Sequence, residues 1–145
     1  MGAVSNPSVV VNHVGLCVTD AERSRRFYEQ VFGFRHRNDL EVDDGPTSTL
    51  LQVPAPVGLT AVYLTRGDFV LELLHFDRDG NAPERPRSFT EPGLTHLSFN
   101  VADLATTVQA VRDHGGTVLD DTELRGVAVM IRDPDGQLLE LLQAR

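Results

Sequence analysis

NHVGLCVTDAERSRRFYEQVFG, residues 12–33, and THLSFNVADLATTVQAVRDHGG, residues 95–116, carry the same pattern at an offset of 83 positions. His13 falls on His96, Val14 on Leu97, Leu16 on Phe99, Val18 on Val101, Asp20 on Asp103 and Gly33 on Gly116. Further along, Leu71-Glu72-Leu73-Leu74 recurs as Leu139-Glu140-Leu141-Leu142 at an offset of 68, so the first copy holds one extra loop's length between its landmarks. Two copies of one supersecondary unit are too few for a solenoid and predict a pseudo-twofold protein.

Each copy opens on period-two alternation, the mark of a half-buried strand. In residues 9–18, Val14, Leu16 and Val18 oppose His13, Gly15 and Cys17; in 94–101, Leu97, Phe99 and Val101 oppose His96, Ser98 and Asn100. A helix follows each strand. Thr19 with Glu22 forms a capping box, Asp20 is a rival cap, and Phe27, Tyr28, Val31 and Phe32 make one stripe that Gly33 ends. The second helix starts at Asp103 and stops at Gly115-Gly116. Strands are predicted at about 34–42, 59–65 and 69–76, and again at 117–120, 126–132 and 137–143. The fold class is therefore α+β, with two βαβββ modules related by a pseudo-twofold axis. The expected organisation is an N-terminal tail over 1–8, a first module over 9–76, a linker over 77–93 and a second module over 94–145. The linker holds three prolines and two glycines.

Length and charge narrow the partners. A chain of 145 residues makes one domain or two very small ones. Its 13 basic and 21 acidic residues leave a net charge of −8, which argues against nucleic acid and anionic membrane surfaces. No apolar run reaches the length of a membrane span, the N-terminus lacks a basic signal region, and Asn6 breaks a myristoylation pattern. One cysteine forms no intrachain disulfide. The expectation is a soluble, cytoplasmic domain.

Glu72 and Glu140 each interrupt an apolar strand, FVLELLHF and QLLELLQ, where an uncompensated carboxylate costs several kcal/mol. His13 and His96 lie on the strand faces opposite the helix-packing residues. Alone, a strand histidine is usually a hydrogen-bonded side chain, and a strand glutamate often pairs with an arginine. All four, however, occupy matched positions of a repeat, and a pseudo-twofold axis brings matched positions toward one point. Imidazole plus carboxylate suits a borderline divalent metal, whose charge offsets the burial of two glutamates.

With these residues the chain resembles the vicinal oxygen chelate superfamily, which groups glyoxalase I, methylmalonyl-CoA epimerase, extradiol dioxygenases, and fosfomycin and bleomycin resistance proteins. The resemblance spans about 9–143 and rests on NHVGLCVTD, FYEQVFGF, VLELLHF, GLTHLSFNVAD and DPDGQLLELLQ. It implies a metal-centred cup, a homodimer, and His13, Glu72, His96 and Glu140 as metal ligands. Some members draw one site from two chains. The implied chemistry is chelation of adjacent substrate oxygens and removal of a proton α to a carbonyl, with Glu140 as base and Glu72 as its symmetry partner. Four ligands favour a lyase or isomerase using Ni, Co, Zn or Mn. Alternatives are an Fe(II)-dependent extradiol-type dioxygenase and a non-catalytic binding or antibiotic-resistance protein.

Two departures count against glutathione as co-substrate. Glyoxalase I typically has an arginine four residues after the first ligand and an asparagine four after the second, where this chain has Cys17 and Phe76. An epimerase's extra glutamate aligns with Pro56, so two-base chemistry would need Glu41, Asp43 or Asp44. Cys17 shares the His13 face and is a candidate substrate contact, although a small apolar filler describes it as well. His75 is out of phase with Glu72 and reads as structural. Arg37, Arg66, Arg78, Arg85, Arg87 and Arg125 read as solvated charge, any one of which could meet an anionic substrate.

Overall fold

The computed structural model describes residues 8–78 and 85–145; the expected tail and linker therefore fall outside the described residues at 1–7 and 79–84. The elements run β1 (Val14–Cys17), α1 (Ala21–Phe32), β2 (Arg35–Leu40), α2 (Asp44–Leu51), β3 (Leu59–Arg66), β4 (Phe69–Phe76), β5 (Leu97–Val101), α3 (Leu104–Asp113), β6 (Thr117–Leu124), β7 (Ala128–Arg132) and β8 (Leu138–Gln143). They form two four-stranded sheets of identical layout, β1-β4-β3-β2 and β5-β8-β7-β6. Each module pairs its first strand, at one sheet edge, in parallel with its last, with Gly15 opposite Glu72 and Ser98 opposite Glu140. Repeat symmetry in the sequence thus becomes symmetry of pairing.

Several boundaries differ from the sequence pattern. The first strand of each module begins after its histidine, because neither His13 nor His96 has a ladder partner. Asp20 is the N-cap of α1, accepting from Arg23 N–H at 2.9 Å, so the Thr19–Glu22 capping box does not form. Thr19 instead serves the other module. A helix, α2, lies where a loop was expected, and none of its residues is buried. Strand β6 runs through Leu124, past the expected end at 120.

α1 and α3 pack against each other and against their own sheets, giving one core that contains Phe27, Tyr28, Leu71, Leu73, Val111, Ile131, Leu139 and Leu141. Phe32 of α1 stacks on Phe99 of β5 at 4.1 Å between ring centres. Burying side chains of this size supplies the driving force for module docking, about 1.5–3 kcal/mol for each.

The turn between β7 and β8 adds a polar lock. Asp133 is buried; it accepts from Tyr28 Oη at 2.8 Å and from the backbone N–H groups of Asp135 and Gln137. Asp135 accepts from the Thr19 N–H and hydroxyl, from Arg23 at 2.8 Å and from the Ser24 hydroxyl. The two carboxylates are thus compensated by donors, while Arg23 Nε is buried without a hydrogen-bond partner among the described residues.

The two carboxylates respond oppositely to pH. Burial raises the Asp133 carboxyl above its ordinary range against the opposing pull of Tyr28 and the two N–H donors. Its contribution falls as pH rises through that raised value. Burial also raises Asp135, but the Thr19 and Arg23 donors outweigh it and leave the carboxyl lowered. Its contribution is complete above the ordinary aspartate value and is lost as pH falls through the lowered one. Asp135→Ala is expected to cost about 2 kcal/mol at neutral pH. Urea unfolding at several pH values should also show the variant losing less stability than the parent between about pH 5 and 3.

Candidate functional site

The sheet faces away from α1 and α3 carry the candidate ligands. On the first sheet, His13 Nε2 lies 2.6 Å from Glu72 Oε2. Tyr63, opposite Glu72 in the β3–β4 hairpin, donates its hydroxyl to Glu72 Oε1 at 3.1 Å and meets the His13 ring edge-on at 5.5 Å. Both Glu72 oxygens are thus engaged, which explains how a carboxylate only 8% exposed sits inside an apolar strand. Burial and the neighbouring Glu72 raise the Tyr63 phenol above its ordinary value, and Arg37 opposes the shift.

On the second sheet the pair is looser. His96 Nε2 stands 3.9 Å from Glu140 Oε1, and Glu140 is more exposed than Glu72. Ser98 donates to Glu140 Oε1 at 2.7 Å, while Met130 occupies the hairpin position that Tyr63 holds on the first sheet. Glu140 Oε2 has no hydrogen-bond partner among the described residues. The asymmetry follows from two substitutions within the repeat: Gly15 for Ser98 and Tyr63 for Met130.

The other ring nitrogen is engaged in both histidines by the preceding residue. His13 Nδ1 meets Asn12 Oδ1 at 2.6 Å, and His96 Nδ1 meets Thr95 Oγ1 at 2.8 Å. With Nδ1 taken by the neighbouring residue, Nε2 is the nitrogen that each imidazole turns toward its glutamate. Imidazoles oriented through Nδ1 and carboxylates held by hydroxyls are the supporting contacts that metal ligands have, so the donor set fits a borderline divalent ion.

The structure brings His13 to Glu72 and His96 to Glu140. It does not bring the two pairs together: among the described residues no three His, Cys, Asp or Glu side chains are grouped to hold one ion. Cys17 lines a cavity of about 230 Å³ with Arg87, Phe89, Thr95, Arg132 and Leu138, and neither His–Glu pair lines it. Burial, and then Asp135, push its thiol up, which disfavours the reactive thiolate. His75 bonds Val18 O through Nδ1, as a structural histidine. Asn12, Tyr63, Thr95 and Ser98 were not singled out by sequence reasoning.

Among the described residues, no helix is long and apolar enough to cross a membrane. The model of the Glyoxalase/Bleomycin resistance protein/Dioxygenase superfamily matches residues 10–141. The chain is similar to the uncharacterized protein YaeR of Escherichia coli K12, 28% identical, with 92% of this chain and 95% of that protein covered. Among solved structures, a glyoxalase family protein from Bacillus cereus superposes with a TM-score of 0.80 at 17% identity, covering 98% of each chain. The trypanothione-dependent glyoxalase I of Leishmania major gives 0.64 at 24% identity, covering 90% of this chain and 84% of that one. These structural likenesses concern the fold.

Proposed function

Because the chain belongs to the Glyoxalase/Bleomycin resistance protein/Dioxygenase superfamily, we propose that it is a divalent-metal-dependent lyase or isomerase acting on a small molecule with adjacent oxygens. The observation that carries this reading is the matched pair of His–Glu contacts, each imidazole oriented through Nδ1 and each carboxylate held by a hydroxyl. One chain holds two half-sites, so the complete cup is a homodimer's. His13 and Glu72 of one protomer face His96 and Glu140 of its partner. When bound, a divalent ion of the Ni, Co, Zn or Mn type supplies Lewis acidity to the substrate's adjacent oxygens.

The two glutamates divide the work. Glu72, with both oxygens engaged, is a fixed ligand. Glu140 Oε2 has no partner among the described residues, and Glu140 is the base that takes the proton α to a carbonyl and returns it. Ser98, bonded to Oε1, keeps the carboxylate oriented as the proton moves.

The first measurement is metal content after stripping and anaerobic refilling with Ni, Co, Zn, Mn and Fe(II) in competition. About one ion per chain is expected, with Fe(II) disfavoured. Preferential Fe(II) uptake would move the assignment to dioxygenation, and a folded dimer that retains no ion would overturn the catalytic-metal reading. The refilled protein should also speed exchange of the α-protons of dihydroxyacetone in D2O, followed by proton NMR. Glu140→Gln should reduce that rate by about 10²-fold or more.

A further inference from the structure

Arg37 extends from β2, and its guanidinium carbon lies 5.0 Å from the centre of the Tyr63 ring. That ring also meets His13 edge-on, and its hydroxyl donates to Glu72. Arg37 therefore stands one side chain from the His13–Glu72 pair. Its Nε donates to Asn38 Oδ1 at 2.9 Å, while its two terminal nitrogens have no acceptor among the described residues. Like most of the chain's arginines, Arg37 pairs with no carboxylate among the described residues; what sets it apart is its seat on the ring whose hydroxyl holds Glu72, beside the candidate ligands. Stacking on the aromatic ring and the Nε bond to Asn38 fix the guanidinium plane while leaving the terminal fork open.

We propose that Arg37, seated on Tyr63, binds the anionic end of the substrate: a carboxylate taken by the two terminal nitrogens, on a small molecule whose adjacent oxygens lie toward His13 and Glu72. The placement of those oxygens rests on the function proposed above; the carboxylate site is formed by β2 and β3 alone. A planar fork matches a planar carboxylate in two parallel bonds, so the substrate class narrows to short acids bearing a 2-oxo or 2-hydroxy carbonyl group. A phosphate ester would meet the same cation but lacks that planar match.

The test uses metal-free protein labelled with 15N-arginine, titrated with glutarate, inorganic phosphate and neutral acetamide. The Arg37 Nε–H signal is identified by its loss in Arg37→Met. Glutarate is expected to shift that signal saturably, phosphate to bind more weakly and acetamide not at all. By calorimetry, glutarate binding should weaken about 10-fold or more in Arg37→Met and by less in Arg37→Lys, which keeps the charge without the fork. Thermal unfolding of both variants, whose substituted side chain is exposed, should match the parent and separate binding from folding. Equal glutarate affinity in Arg37→Met, no saturable shift, or tighter binding of phosphate than of glutarate would each overturn the proposal. Metal content is read separately. A chain that binds glutarate at Arg37 yet retains no ion would sink the metal reading and keep this one; full metal with a silent Arg37 would do the reverse.

Discussion

Mixing His13→Ala chains with His96→Ala chains is expected to restore metal sites that neither variant holds alone. The reason lies in how the half-sites are distributed. His13 and Glu72 stand on one sheet, His96 and Glu140 on the other, and no three of these side chains group within the described residues of one chain. In a homodimer of either variant, every shared cup lacks one imidazole. In a heterodimer, one cup lacks both and the other is intact, because the intact His13 and the intact His96 come from different protomers. Purified heterodimer, made with two affinity tags, should therefore hold about one ion, against about none for either variant and about two for the parent dimer. If each cup were built within a chain, mixing would restore nothing. Elemental analysis separates the two outcomes without any substrate.

Phe27→Ala is expected to lower stability by about 3–5 kcal/mol, a large part of the roughly 5–15 kcal/mol that a domain of this size commands. Phe27 is fully buried, and its ring joins the modules by lying against Gly116. A Cβ added at Gly116 would stand 2.8 Å from Phe27 Cε2, 2.7 Å from Val111 Cγ1 and 2.9 Å from the Arg132 carbonyl oxygen. The side chains can give a little, but the carbonyl belongs to β7, paired there with Thr117. Gly116→Ala should therefore cost about 1–3 kcal/mol through overpacking. Combined, the two should cost less than their sum, since removing the ring relieves one of three collisions. Urea unfolding followed by near-UV circular dichroism tests all three variants, and full additivity would mean that the ring does not limit the space at Gly116.

Much of this arrangement was legible because the repeat states it twice. The βαβββ order, the Asp103 cap and the Gly33 stop follow from local periodicity and capping, which act over a few residues. Matched positions pointed to the four side chains but to one shared point for them; the structure instead brings each histidine only to the glutamate of its own module. What escaped was set by distant partners. Thr19 looked like a helix cap, but Asp135, more than a hundred residues later, offers its hydroxyl a carboxylate that Arg23 also holds. Helix α2, DGPTSTLL, buries nothing, so it has no apolar stripe to read. Tyr63 could have been found by counting outward from the turn at Gly67-Asp68, since the register pairs 66 with 69 and hence 63 with 72. Ser98 could not, because parallel neighbours are fixed by the crossover and not by any turn. Arg37 looked like its fellow arginines until the fold placed it over Tyr63.

The order of synthesis gives the Phe27–Gly116 contact a further meaning. All four strands of the first sheet come from residues 14–76, so that half can close as soon as it leaves the ribosome. Its aromatic side cannot: Phe27 waits for Gly116, and Tyr28 waits for Asp133. At about 5–20 residues per second the intervening chain takes roughly 3–11 seconds to appear. Throughout that interval a sticky surface stands open, and the complementary half of any neighbouring nascent chain fits it as well as the chain's own. Exchange of halves between newly made copies is thus the characteristic assembly error of this architecture. The polar lock at Asp133 and Asp135 would find the same Tyr28, Thr19 and Arg23 donors on a wrong copy as on its own chain.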